Sequence, residues 1–351
     1  MKYIDHWDKI KARFAAFWQG ECVDRAMVFC TAPKPNAKPL PPIADIGAYR
    51  VDPQRIIERT RAEWEQTYFA GDAFPSMIFD LGACSHAGFF KGANYLIDHT
   101  VWYFPALENP RDLEFDENSY MLKKHYELVK AFAEDSGGDY MVAMSDCTGN
   151  ADALAHLIGS EALLQAMIED PEGVQIGLRK LQGAYARIMT DTYDIVRAVN
   201  DGGSGIGWLK TWAPGFSAQM QCDMSVMISA PMFREYIEPE LRAQCDLLEY
   251  PLYHFDGIEQ RRHLDTLLSV PNLRAIQWTQ VAGQPYCTDF FDDLRRIQRA
   301  GKGLLIILQN NHQIEPIMEN LSAKGLYLQT FANTPEEADA IVNKVAKLSH
   351  D

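Results

Sequence analysis

The chain has 351 residues, a formal net charge of −15 and a sequence pI near 5.0. With 47% hydrophobic and 23% charged residues it reads as globular, and its length suits one α/β barrel carrying insertions. The acidic balance, with no block of Lys or Arg, argues against a nucleic-acid partner, and no run of about eighteen apolar residues offers a membrane span.

The seven cysteines are Cys22, Cys30, Cys84, Cys147, Cys222, Cys245 and Cys287. Their number is odd, they are scattered, and no CxxC occurs, so the expectation is reduced thiols in a cytoplasmic protein. Residues 1–18 are amphipathic and charged, unlike the apolar stretch of a signal peptide. The prolines between Pro33 and Pro42 predict a long loop.

Short apolar runs then alternate with helical patterns. The expected strands are Met27–Thr31, Met77–Leu81, Tyr140–Ser145, Gly205–Leu209, Leu252–Asp256, Leu273–Trp278, Leu304–Leu308 and Leu326–Thr330. Most are apolar on both faces, as buried parallel strands require. Asp52-Pro53 and Asp170-Pro171 each place an N-cap before a proline in a first helical turn. Thr334-Pro335-Glu336-Glu337 reads as a capping box, Ser160, Ser229 and Thr288 as further N-caps, and Gly301 as a helix stop. No GxGxxG follows the first strand, so a dinucleotide fold has no support. The expectation is α/β: a single (β/α)8 TIM-type barrel over residues 1–351, with an N-terminal helical extension.

Several segments, in order along the chain, resemble the uroporphyrinogen decarboxylase superfamily, above all its methyltransferase-like, corrinoid-protein-like branch. They are Phe17-Trp18-Gln19-Gly20-Glu21 with Asp24-Arg25, then Asp98-His99-Thr100-Val101-Trp102-Tyr103. Next come Ser145-Asp146-Cys147-Thr148-Gly149 with Asp152-Ala153-Leu154 and Gly159, and Gln221-Cys222-Asp223-Met224-Ser225 through Pro231, Phe233, Glu238-Pro239 and Leu241. The last are Tyr253-His254-Phe255-Asp256-Gly257, His263-Leu264-Asp265 and Ile276-Gln277-Trp278. The resemblance implies a barrel with its site at the C-terminal mouth. Two departures matter. The arginine-rich motif that clamps porphyrinogen carboxylates reads here Cys30-Thr31-Ala32-Pro33-Lys34-Pro35, so uroporphyrinogen is not the expected substrate. The His-x-Cys of the zinc methyltransferases reads His254-Phe255-Asp256, and the last strand has no cysteine.

In a parallel barrel the chemistry sits where strands end. His254 and Asp256, at i and i+2, share one face and could bind a divalent metal such as zinc or act as an acid–base pair; alternatively Asp256 caps the turn at Gly257. Asp223 is a second candidate base or ligand, or else a loop cap; Asp146 is a third, and Asp80 a weaker one. Cys84 and His86 could join His254 and Asp256 in a mixed metal set, or be a buried thiol and a loop histidine. Trp208, Trp212 and Trp278 are candidate stacking platforms, with Lys210 beside them; Gln277, Asn310, Asn311 and His312 are candidate polar contacts to a small substrate.

The resemblance implies a methyltransferase-type enzyme passing a methyl group between a small substrate and a thiol or a corrinoid held by a partner protein. A lyase or hydrolase acting on a small polar or sugar-like substrate, and a non-catalytic binding barrel, remain as alternatives, and a homodimer is a compatible assembly.

Overall fold

The structure, a computed structural model, describes residues 1–351. In chain order the strands are β1 (Met27–Pro33), β2 (Thr67–Gly71), β3 (Ser76–Met77), β4 (Asn94–Ile97), β5 (Val101–Phe104), β6 (Met141–Val142), β7 (Ser217–Met220), β8 (Tyr250–Asp256), β9 (Ala275–Thr279), β10 (Gly303–Ile307) and β11 (Leu326–Phe331). A seven-stranded sheet has the order β2-β1-β11-β10-β9-β8-β7. Every neighbouring pair in it is parallel except β1 with β2. β3 and β6 form a separate parallel pair, and β4 with β5 an antiparallel hairpin. Helices fill most of the intervals between the strands, which makes this a mixed α/β fold compatible with the TIM type.

The expected circle of eight comparable strands is corrected in one arc. The runs at Met27, Leu252, Leu273, Leu304 and Leu326 fall in β1 and β8 to β11, but those at Met77 and Tyr140 shrink to two residues each. Gly205–Leu209 is not a strand. It makes one parallel bridge, Met144 with Ile206, and the chain then doubles back through a bridge between Ser204 and Ala213. A Cβ on Gly205 would stand 1.9 Å from the Thr211 carbonyl oxygen, so only glycine permits this fold-back. The place beside β8 belongs to β7, whose sequence Ser-Ala-Gln-Met is too polar to read as a buried strand. No continuous ladder closes the sheet. The arc is spanned by β3 and β6, by Met144 N donating to Gly205 O (2.9 Å), and by Ser204, whose hydroxyl accepts from Ser217 N (2.8 Å) and lies 3.2 Å from Ser217 O.

Two apolar clusters explain why the sheet curls. The smaller joins Met27 and Phe29 of β1, Met141 of β6, Ile206, Leu252 of β8, Ala275 of β9, Leu305 of β10 and Tyr327 of β11. Residues from β1 and β8 to β11 meet there with Met141 and Ile206 from the opposite arc, so these side chains face a common interior. The N-terminal helix Trp7–Phe17 plugs the bottom with Ile10, Phe14 and Phe17; the Phe14 ring packs edge-on to Tyr327 at 5.4 Å. The larger cluster lies between the sheet and its helical layer and includes the alternate strand residues Tyr253, Phe255, Ile276, Trp278, Leu304, Ile306, Leu326 and Leu328.

The helix starts follow local chemistry. Asp52 and Asp170 accept hydrogen bonds from Arg55 N and Gly173 N, each cap contributing about 1 kcal/mol. Ser229 caps through Met232 N, and Gly301, at φ +71, follows the helix ending at Arg299. Three expectations are corrected. Thr334 accepts from Glu337 N, but the Glu337 carboxylate reaches back to Asn333 N (2.8 Å), so the box closes one residue early. Gly159 rather than Ser160 occupies the cap position, and Thr288 lies inside the short turn Cys287–Phe290. No helix is long and apolar enough to cross a membrane.

Candidate metal and substrate site

At the C-terminal ends of β7 and β8 the interior turns polar. Alternation along β8 sends Leu252, His254 and Asp256 inward and Tyr253 and Phe255 outward. One ligand atom each from Asp223, His254 and Asp256 lie within 4.8 Å of one another. His254 is buried, Asp256 half-buried, and Asp223 stands exposed at the rim. No backbone amide donates to Asp256, so it does not cap the turn at Gly257, and the only side chain bonding Asp223 is Gln221, through Nε2 to Oδ2 at 3.3 Å. Enclosure by protein pushes the Asp223 carboxyl up; the His254 ring opposes this and Asp256 reinforces it.

The surrounding groups set how this trio can act. His254 Nδ1 is hydrogen-bonded to Gln277 Oε1 and stands 3.2 Å from Thr279 Oγ1. A carbonyl oxygen can only accept, so the Gln277 contact favours a proton on Nδ1 and leaves Nε2 as the ring nitrogen able to serve as a ligand. Gln277 Nε2 in turn donates to Thr279 Oγ1 at 2.8 Å. The edge of the Trp208 indole meets the His254 ring at 4.9 Å, and its Nε1 donates to Gln219 Oε1. Gln219 Nε2 donates to Asp146 Oδ1 (3.0 Å) and to Gln221 Oε1 (3.0 Å), so a row of amides joins Asp146 to Asp223. Burial, then the charges of Asp80 and Asp223, push the Asp146 carboxyl up to about 7.

Asp152 holds Asp223 in place. Its two oxygens accept from Asp223 N (2.9 Å) and Met224 N (2.8 Å). Asp152 enters on the first turn of the helix Asn150–Ile158, directly after Gly149 at φ +74. A Cβ on Gly149 would lie 2.4 Å from Asp152 Oδ2 and 3.2 Å from Cys84 Sγ. Burial raises the Asp152 carboxyl, as does Asp223, while the two amide bonds oppose them.

Several expected site residues are placed elsewhere. Cys84 and His86 stand outside the group formed by Asp223, His254 and Asp256, so the mixed four-ligand set is not assembled. Cys84 is buried at φ +56, its thiol pushed up by burial, and accepts a long contact from Gln221 Nε2 at 3.7 Å. His86 is fully buried, bonded through Nε2 to Asn150 Oδ1 (3.1 Å), and burial lowers it to about 4. Trp278 is not a platform: it is 1% exposed and stacks on Phe255 at 4.7 Å in the helical layer. Adjacent strand residues face opposite ways, so Gln277 and Trp278 cannot both line the interior. Trp212 packs at the bottom against Trp7 and donates to Asn200 O. Asn310 caps the turn Asn311–Gln313 in a reciprocal box with Gln313; Asn311 bonds Phe331 O and accepts from Thr330 Oγ1; His312 is exposed. Asp80 is paired with Arg50 at 2.5 Å.

The residues that reading by type missed are Gln219, Gln221, Thr279, Asp152 and Gly149. Only the polar island from Gln219 to Ser225 and the Asp146–Asp152 segment signalled them, because glutamine and threonine carry no distinctive spacing.

No protein-family model and no curated protein sequence matches this chain. Among solved structures, a methyltransferase from Methanosarcina mazei superposes with a TM-score of 0.63 over 96% of this chain and 98% of that one, at 11% sequence identity. The similarity spans both chains almost end to end and is one of fold.

Proposed function

We propose that this chain is a methyl-transfer enzyme of the barrel type that holds one divalent metal between Asp223, His254 and Asp256. The observation that carries the reading is the convergence of one imidazole and two carboxylates within 4.8 Å at the polar end of the sheet. Oxygen and nitrogen donors without thiolate suit zinc, manganese or iron(II) rather than a soft-metal site. When bound, such an ion supplies a Lewis acid that favours the deprotonated form of an acceptor thiol or water. The protein's own groups do the rest. Gln277 and Thr279 orient His254, and Asp152 orients Asp223. Trp208 walls the pocket beside His254, and Asp146 stands ready to take or give a proton near neutral pH. The methyl donor is a small substrate, and the acceptor is a small thiol or a corrinoid carried by a partner protein. The fold shared with a methyltransferase is consistent with this reading.

The test is elemental analysis of protein reconstituted with zinc, manganese or iron(II), alongside transfer of labelled methyl groups to a thiol and to cob(I)alamin. His254→Ala, Asp256→Asn and Asp223→Asn are expected to weaken metal binding by at least about 10–100-fold and to abolish transfer. Full metal occupancy in all three variants sinks the site. A second reading, a metal-assisted lyase or hydrolase, is favoured by the Asp146 carboxyl near 7; it predicts bond cleavage in a polar substrate with no labelled methyl recovered on any acceptor.

A further inference from the structure

One cation stands near the polar end of the sheet without a counter-charge. Lys210 is half-buried, and its Nζ makes no hydrogen bond or ion pair with any protein group. Arg50, by contrast, is tied to Asp80 and to three backbone carbonyls. The Lys210 backbone is held in the left-handed region at φ +47, a conformation unfavourable for a residue other than glycine. Two interior-facing residues of β11 fix it there. Tyr327 Oη donates to the Lys210 carbonyl at 2.6 Å, and Gln329 Nε2 donates to the Leu209 carbonyl. The same turn carries Trp208, two residues earlier, against the His254 ring. So the turn that sets Trp208 against His254 also carries an ammonium group with no protein partner, on a backbone that nothing in local propensity favours.

We propose that Lys210 is the anchor for a carboxylate on the substrate, which makes that substrate a small carboxylic acid and, beside so many carboxylates, one carrying a neutral or cationic group at its other end. The proposal rests on the reading of the polar end as the active site. An ammonium ion partly shielded from water and left without a partner is unfavourable, and an incoming carboxylate relieves that cost by a charge-assisted bond. Burial lowers the Lys210 ammonium to about 8, the shift expected of a cation whose partner has not arrived. The carboxylates at this end, Asp146, Asp223 and Asp256, would repel a second anion, so the anchored group is held away from them and the opposite end of the substrate is turned toward them.

The experiment uses the full chain without added metal and formate as the probe, so that it reads the anchor independently of any metal or turnover. Trace acetylation by labelled acetic anhydride, followed residue by residue by mass spectrometry across pH, reports the titration of each lysine. Formate should slow acetylation of Lys210 and move its titration upward, with chloride at equal ionic strength inert and the other lysines unchanged. Formate should also raise Tm in the wild type, and Lys210→Met should weaken formate binding by more than about tenfold, with Lys210→Arg restoring part of it. Should Lys210→Met fail to fold, Lys210→Gly removes the amine and takes the left-handed backbone without strain. No shift with formate, an equal shift with chloride, or undiminished formate binding in the Met or Gly variant overturns the anchor. None of these outcomes bears on whether Asp223, His254 and Asp256 hold a metal.

Discussion

The two ends of the curled sheet treat charge in opposite ways. At the N-terminal end Asp72 is fully buried, yet each oxygen is satisfied: Arg13 bonds one at 2.9 Å, and Arg25 and Val28 N bond the other at 2.6 and 2.8 Å. At the C-terminal end Asp146, Asp152, Asp223 and Asp256 face one another with no arginine or lysine bonded to any of them. A paired buried charge holds elements together, whereas crowded carboxylates lacking cations store free energy that a metal or substrate can release. On the proposed reading, the lower end is built for stability and the upper end for binding.

Breaking this contrast should separate stability from function. Asp72→Ala leaves the buried Arg25 without a carboxylate, while Arg13 keeps Asp24, and should cost about 3–5 kcal/mol in chemical denaturation. Asp223→Asn, which removes repulsion, should leave the denaturation midpoint at or above that of the wild type while metal binding is lost. Equal destabilisation by the two changes would erase the distinction drawn here.

A smaller effect is expected at the joint between the helix Asn150–Ile158 and the site. Gly149→Ala puts a methyl 2.4 Å from Asp152 Oδ2 and forces a left-handed alanine. The loss should be about 1–3 kcal/mol in stability, with metal affinity falling further than stability alone explains, because Asp152 positions Asp223. Metal titration of the variant under conditions where it is fully folded checks the second part.

A last contrast sharpens the comparison through pH. The Asp146 carboxyl is raised to about 7, so between the ordinary aspartate range and neutrality the folded chain holds a proton that the unfolded chain has released. This group therefore favours folding below about pH 4 and progressively less as pH rises toward 7. The wild type should lose stability over that window relative to Asp146→Asn, by at most about 1.4 kcal/mol per pH unit and by less because the side chain is partly exposed. Parallel pH–stability curves for the two proteins would show that Asp146 is not held protonated.

What the sequence by itself determined was local. Apolar runs bounded by caps placed β1 and β8 to β11, and the i, i+2 spacing of His254 and Asp256 was enough to put both on one face, because strand alternation depends on nothing but the backbone. The tertiary structure decided the rest. β7 was hidden because its inward residue Gln219 is polar, and Gly205–Leu209 was misread because its apolar side chains are buried in a turn that contact with Thr211 creates. Trp278 and Cys84 carry attractive chemistry, but which way a side chain faces is set by strand register and by long-range packing, and these send the indole outward and leave the thiol outside the group. Asp223 joins His254 and Asp256 because Asp152, 71 residues earlier, ties down its backbone, a coupling between distant segments that no local pattern records.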